Sequence, residues 1–162
     1  MHALTVTQVL VLLTLANGAP VIAKLILRDR LAMPLDSNWT FLDGKPLFGR
    51  SKTIRGVAIA ISATTLGAPL IGLDLAIGLL VGATAMAGDL FSSFCKRRLG
   101  LAPSSRATGL DQIPESLLPL LACRHALALS VADIALTCGL FFAGEILLSR
   151  LLFRLRLRDR PY

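Results

Sequence analysis

The chain alternates long uncharged apolar runs with short, polar, turn-rich stretches. Residues 3–23 carry no charge, 54–72 are apolar apart from Arg55, 75–88 are apolar throughout, and 127–148 are interrupted only by Asp133 and Glu145. A helix needs about 20 apolar residues to cross a hydrocarbon core roughly 30 Å thick, because it rises about 1.5 Å per residue. These runs predict helices over roughly 3–27, 54–72, 75–94 and 127–149. A fifth run, 113–123, is short for a crossing and must start in the preceding polar stretch or tilt, which predicts a helix over 111–123. The fold class that follows is an all-α integral membrane protein, a bundle of five transmembrane helices with two cytoplasmic polar loops, and residues 1–162 form one domain.

Local signals refine this pattern. Gly67, Pro69, Gly72 and Asp74 mark the turn between the second and third helices. Asn17 lies inside the otherwise apolar first helix and is followed by Gly18, Ala19 and Pro20. A proline removes a backbone donor and crowds the carbonyl one turn back, so a kink is expected there. Gly78 and Gly82 stand four residues apart, a spacing that lets helices approach closely. Packing within the bundle is the first use of such a pair, and a homo-oligomer is the second.

Composition agrees with a membrane setting. Apolar residues make up 54% and charged residues 17%, with a mean hydropathy of +0.70. Ordinary soluble domains carry roughly 25% charged residues. The net charge of +7 does not indicate nucleic acid, because the cations are bunched rather than spread and aromatics for base stacking are only 6%. With five crossings, sixteen of the seventeen Lys and Arg residues fall on one side, and Arg124 alone falls on the other. Cytoplasmic loops carry the Lys/Arg excess. The polar loops and the C-terminus are therefore expected in the cytoplasm and the N-terminus outside, in the plasma (inner) membrane. No Lys or Arg precedes the first run, so the basic segment of a secretory signal is missing.

The remaining titratable residues narrow the chemistry. Cys95, Cys123 and Cys138 are scattered, without the spacing of a zinc site or a disulfide framework. His2 and His125 are isolated and expected on the outer side, so no histidine pair is available for acid–base catalysis. The stretch from Pro46 to Gly56 is more informative. It gathers Gly49, Ser51, Lys52, Thr53 and Arg55 just before a helix, where unpaired backbone N–H groups and the helix dipole favour an anion. The spacing is not that of a P-loop. Asp89, Ser93, Lys96 and Arg97 share one face at the basic end of the third helix. A second carboxylate pair, Asp111 and Glu115, opens the next helix on the same side. Carboxylates, cations and hydroxyls at one interface fit Mg²⁺-assisted phosphoryl or nucleotidyl transfer, in which hard oxygen ligands hold the metal and Lys and Arg neutralise phosphate.

At these residues the chain resembles the CDP-archaeol synthase family, which is related to the phosphatidate cytidylyltransferases. The resemblance runs over Ala16-Asn17-Gly18-Ala19-Pro20, Pro34-Leu35-Asp36, Phe41-Leu42-Asp43-Gly44, Pro46-Leu47-Phe48-Gly49 with Ser51-Lys52-Thr53 and Arg55-Gly56, Gly88-Asp89-Leu90 with Ser93 and Lys96-Arg97-Arg98, and Leu110-Asp111-Gln112. It implies a five-span enzyme that joins CTP to a lipid phosphate and releases pyrophosphate, with Mg²⁺ and a cytoplasmic active site. Asp89, Asp111, Lys96 and Lys52 are then the candidate catalytic residues. Asn17, Asp43, Ser51, Lys52, Thr53, Arg55, Ser93, Lys96 and Arg97 are candidates for binding CTP and phosphate, and Asp89, Asp111 and Glu115 for the metal. The family pattern usually has an acidic residue three after the aspartate matching Asp111. Here Pro114 stands there and the carboxylate is Glu115, which leaves the second ligand and the lipid open. The partners implied are CTP, a lipid phosphate and membrane lipids, with no nucleic acid. The rival reading is a non-enzymatic transporter or assembly factor whose basic loops bind lipids. That reading predicts polar residues along a path through the bilayer, whereas only Asp133 and Glu145 lie away from the basic side.

Overall fold

The computed structural model describes residues 2–102, 105 and 107–154, with the backbone alone for 150–154. Arg106 and the tail arginines Arg156, Arg158 and Arg160 lie outside the described residues, as do the side chains of Arg150 and Arg154. Among the described residues five helices follow in chain order: α1 (Ala3–Leu27), α2 (Ile54–Leu70), α3 (Leu75–Arg98), α4 (Gln112–Ala122) and α5 (Val131–Arg154). Three of them, α1, α3 and α5, are long and apolar enough to cross a membrane. The 17 residues of α2 span about 26 Å and the 11 of α4 about 16 Å at the usual rise.

Several boundaries differ from the sequence expectation for physical reasons. The third helix continues through Lys96, Arg97 and Arg98, whose cations suit a helix C-terminus, where the dipole is negative. The fifth begins at Val131 rather than 127, because residues 123–130 form turns, with Ala128 at φ 49°. The first, by contrast, keeps its expected bounds, and its helical backbone continues through Pro20.

Helix directions follow from contacts at the ends. The Gln8 amide near the start of α1 donates to the Ile71 carbonyl just past α2 (2.7 Å). Arg55 at the start of α2 donates to the carbonyls of Arg28 and Arg30 just past α1. The two helices are therefore antiparallel. His2, the residue before α1, meets Asp133 in the first turn of α5, so α1 and α5 run the same way. One end of the bundle thus gathers the C-terminal ends of α1 and α3 and the N-terminal ends of α2 and α4. The long connections 28–53 and 99–111 lie at this end, and the opposite end has only short turns.

His2 is consequently not isolated, contrary to the sequence expectation. Its backbone N–H donates to Asp133 at 3.0 Å and its ring Nδ1 lies 3.3 Å from the same carboxylate. A contact between residues 131 positions apart leaves no trace in local pattern.

The apolar core is Val9, Leu12, Leu13 and Ala16 of α1 against Ala60 and Ala68 of α2, Val81 and Ala85 of α3, Leu120 of α4 and Phe141 of α5. A β-carbon on Gly78 would collide with the Thr64 carbonyl and lie 2.7 Å from the Ala68 methyl, and one on Gly82 would strike Thr64. This small-residue pair therefore seats α2 on α3 within one chain.

Candidate active site at the charged end of the bundle

The site is assembled from three helix ends. Thr53 caps α2, its hydroxyl accepting from the Gly56 N–H at 3.1 Å, which satisfies a donor left open by the first turn. The cap fixes Lys52 just ahead of the helix. From there its ammonium donates to both oxygens of Asp89 on α3, each at 2.6 Å. The pair is partly open to solvent, with 23% of the lysine and 24% of the aspartate side chain exposed.

Gly88, next to Asp89, brings α4 against α3. A β-carbon there would run into the Pro114 carbonyl and come within 2.7 Å of the Glu115 nitrogen. The absent side chain lets the first turn of α4 rest on the α3 backbone. One turn beyond Asp89, the Ser92 hydroxyl donates to the Asp89 carbonyl at 3.0 Å and lies 3.5 Å from the Asp111 carboxylate. Asp111 stands at the N-cap position of α4 but caps nothing with its side chain. It accepts instead from Lys96 at 2.6 Å and from the Ala107 N–H at 3.0 Å. Two carboxylate–lysine pairs, Lys52–Asp89 and Lys96–Asp111, thus stand side by side with Ser92 between them.

Glu115 lies beneath the first pair. It is 3% exposed, and one carboxylate oxygen has no hydrogen-bond partner. Asp89, Lys52 and Glu145 of α5 are within electrostatic reach, and the Asn17 amide of α1 lies beside it. The Asn17 nitrogen is buried and completes no regular hydrogen bond. Asn17 and Glu145 also line a cleft of about 340 Å³ between α1 and α5, whose other walls include Leu10, Thr14, Phe141 and Gly144. A second groove of about 370 Å³, entirely apolar, runs between α1 and α2 along Ile22, Ala23, Ile26 and Ile59.

Of the sequence candidates, Asn17, Lys52, Asp89, Lys96, Asp111 and Glu115 come together. The others are engaged nearby in different ways. Arg55 holds the turn after α1, and Thr53 is a cap. Arg97 donates to the Ala102 carbonyl at 2.8 Å and, with the Lys96 contact to the Ser105 carbonyl (3.2 Å), ties down the connection after α3. Asp43 pairs with Arg98 at 2.5 Å. Ser93 is buried and Ser51 exposed.

Two residues quoted above only within the family motifs, with no role given to them, position the site. One is Gly88, whose role depends on α4 being there. The other is Asp36, which is 6% exposed and accepts from the backbone N–H groups of Asn38, Phe48 and Gly49 at 3.1, 3.0 and 2.8 Å. Burial raises the Asp36 carboxyl, but these donors outweigh it and hold the group below the usual carboxylate range. Asp36 therefore folds the loop back so that Gly49 and then Lys52 reach α3.

The donor set suits Mg²⁺. Asp89, Asp111 and Glu115 offer hard carboxylate oxygens, and the orphaned oxygen of Glu115 is the kind of buried group that a cation satisfies. Among the described residues no group of three or more His, Cys, Asp or Glu side chains is placed to hold a metal ion by itself. Mg²⁺ does not require one, since it is commonly held by one or two carboxylates together with substrate phosphates.

An all-helical membrane protein with ion-paired carboxylates and lysines collected at one end of its bundle is built as an integral membrane enzyme. The family model for CDP-archaeol synthase (CarS-like) matches residues 69–162. The chain is similar to a CDP-archaeol synthase of Sulfurisphaera tokodaii, at 33% identity over 135 residues covering 80% of this chain and 81% of that one. It is also similar to a CDP-archaeol synthase of Pyrobaculum calidifontis, at 42% identity over 111 residues covering 65% and 66%. A solved structure described as an intramembrane enzyme for archaeal membrane lipids biosynthesis shares the fold, with a TM-score of 0.69 and 24% identity over 84% of this chain and 89% of that chain. The chain belongs to the CDP-archaeol synthase family.

Proposed function

We propose that this protein transfers CMP from CTP to a membrane lipid phosphate of the archaeol type, giving a CDP-lipid and pyrophosphate. The observation that carries the site assignment is the adjacent pair of lysine–carboxylate contacts, Lys52–Asp89 and Lys96–Asp111, at one end of a family member. Lysines held on carboxylates are cations in reserve. A triphosphate arriving there offers them stronger partners, and the carboxylates released are free to hold Mg²⁺. When bound, Mg²⁺ supplies charge neutralisation at the triphosphate, and Asp89 and Asp111, supported by Glu115, are the residues that would hold it.

In the reaction, an oxygen of the lipid phosphate attacks the α-phosphorus of CTP and pyrophosphate departs. Lys52 and Lys96 neutralise the phosphates, with Arg97 and Arg55 contributing positive field at the same end. Ser51, Thr53 and Ser93 are hydroxyls available nearby, and Asn17 orients Glu115. Such a site works by positioning and electrostatic stabilisation, so the absence of a histidine among these residues is no obstacle. The apolar groove between α1 and α2 and the cleft between α1 and α5 give lipid chains lateral access while they stay in the bilayer.

The same reading has five crossings, with the charged end in the cytoplasm and the N-terminus outside. Two observations support it: α1 and α5 run the same way, and the cations cluster at the end where their C-termini lie. The test is to incubate the purified protein with CTP, Mg²⁺ and a panel of lipid phosphates that differ in ether or ester linkage. Mass spectrometry should find a CDP-lipid with stoichiometric pyrophosphate. Transport or lipid binding without pyrophosphate release would favour the non-enzymatic alternative.

A further inference from the structure

The loop between α1 and α2 has a surface that the catalytic reading does not use. It exposes large apolar side chains: Leu31 is 75% exposed, Met33 65%, Trp39 72% and Leu42 96%. Exposed Arg28, Arg30 and Arg50 are interleaved with them and outnumber the exposed acids of the loop, Asp29 and the Arg98-paired Asp43. Single exposed apolar side chains are ordinary, but four large ones on one short loop mark an interaction surface.

The backbone ties this loop to surfaces that already face lipid. The Ile54 N–H donates to the Met33 carbonyl at 3.1 Å, and the Leu35 N–H donates to the Lys52 carbonyl at 2.8 Å. Arg55 clamps the carbonyls of Arg28 and Arg30. Leu31 and Met33 are thereby stapled to the foot of α2, beside the outward side chain of Ile54 (48% exposed) and the end of α1, where Ile26 is 73% exposed. Further along, the Leu47 N–H bonds the Trp39 carbonyl (3.1 Å) and the Phe41 N–H bonds the Lys45 carbonyl (2.8 Å), closing a tight hairpin with Leu42 at its tip. Arg98 fastens that hairpin to the end of α3, pairing with Asp43 and standing 5.0 and 4.8 Å from the ring centres of Phe41 and Phe94.

We infer that the 28–53 loop is a fixed platform that docks on the headgroup layer of the surrounding bilayer, and that this layer is anionic. Continuity with the lipid-facing helix ends places the platform at the interface. The wedge of Trp39 and Leu42 suits the apolar–polar boundary, where tryptophan concentrates. The flanking arginines complement anionic headgroups, each worth about fivefold in binding near a charged surface. A protein partner would be met by a contiguous apolar patch, whereas these side chains are dispersed among cations as a fluid surface requires.

Trp39 is the sole tryptophan of the chain, so its fluorescence reads the platform alone and does not depend on catalysis. The full chain is reconstituted in phosphatidylcholine vesicles with and without phosphatidylglycerol, with acyl chains brominated near the headgroup. The proposal predicts strong quenching of Trp39 by brominated lipid and weak quenching by aqueous acrylamide in the anionic vesicles, and several-fold weaker bromine quenching in the neutral ones. Leu42→Asp should abolish bromine quenching while leaving the helical circular dichroism unchanged, because the position is almost fully exposed. Arg28→Gln with Arg30→Gln and Arg50→Gln should remove the difference between the two vesicles. Trp39 quenched by acrylamide as freely as a tryptophan amide in solution would overturn the proposal. Equal bromine quenching in both vesicles would overturn its anionic part.

Discussion

The two ends of the bundle use the same residue types to opposite effect. At the end with short turns, Asp133 is fully buried and saturated. It accepts from the Ser130 hydroxyl at 2.6 Å, the Ser130 N–H at 3.1 Å and the His2 N–H at 3.0 Å. The two Ser130 bonds close the start of α5, and the His2 bond pins α1 to it. At the charged end, Asp89 and Asp111 are bound chiefly by flexible ammonium groups and remain about a quarter exposed, at 24% and 22%. Glu115 beside them keeps an oxygen with no partner. Buried polar groups in a finished structure are normally satisfied. A saturated carboxylate marks architecture, and an exchangeable or incomplete set marks a place where a ligand completes the structure.

The largest effects are expected at the exchangeable pairs. Asp89→Asn and Asp111→Asn keep size and remove charge. Each should lower CDP-lipid formation by about 10²-fold or more, the scale of losing one preorganised electrostatic contact in a transition state. Thermal unfolding should stay near that of the unaltered protein. Lys52→Ala should follow, with CTP use weakened roughly ten- to a hundredfold, because a hydrogen bond to a charged group contributes about 1.5–3 kcal/mol. Full activity of this variant at limiting CTP would make the 46–56 segment a membrane anchor alone.

Gly88→Ala is expected to cost about 1–3 kcal/mol of stability, the usual penalty of forcing an extra carbon into a packed contact. It should lower turnover as well, because α4 must retreat from α3. Gly139→Ala and Gly144→Ala serve as controls, since a β-carbon at either meets nothing within 4 Å. Equal stability of all three would contradict the close approach at Gly88.

Asp36 gives the smallest effect and a pH signature. Its carboxyl is held below the usual range in the folded loop, so the unfolded loop binds a proton more readily. The stabilisation is fully present above the ordinary carboxylate pKa of about 4 and is lost as pH falls through the lower folded value. Trp39 emission should therefore hold steady from neutral to mildly acidic pH and shift only below that range. Asp36→Asn should remove the acid-induced shift.

Much of the architecture was legible in the chain because membrane spans are written in long apolar runs, and the helix ends of α1, α2 and α4 fell within a few residues of expectation. The candidate site was legible as a set of charged residues at one boundary, since charges near a bilayer are costly enough to stand out. Their partners were not. Lys96 and Arg97, on Asp89's own helix, looked like its natural neighbours, yet the ion pair comes from Lys52 across the α2–α3 contact. That choice depends on Gly78 and Gly82 drawing α2 onto α3; their four-residue spacing signals a close approach but does not say which helix makes it. The roles of Gly88 and Asp36 and the His2–Asp133 pin rest likewise on contacts between residues distant in sequence.

The comparison of the two ends reduces to one paired measurement. Asp89→Asn and Asp133→Asn make the same chemical change at opposite ends, and each variant would be assayed for thermal unfolding and for CTP-dependent CDP-lipid formation per folded molecule in the presence of Mg²⁺. The account predicts that Asp89→Asn loses CDP-lipid formation with its unfolding temperature nearly unchanged. Asp133→Asn should unfold earlier but keep its activity per folded molecule. An active Asp89→Asn protein that unfolds early would contradict the assignment of the charged end as the catalytic one.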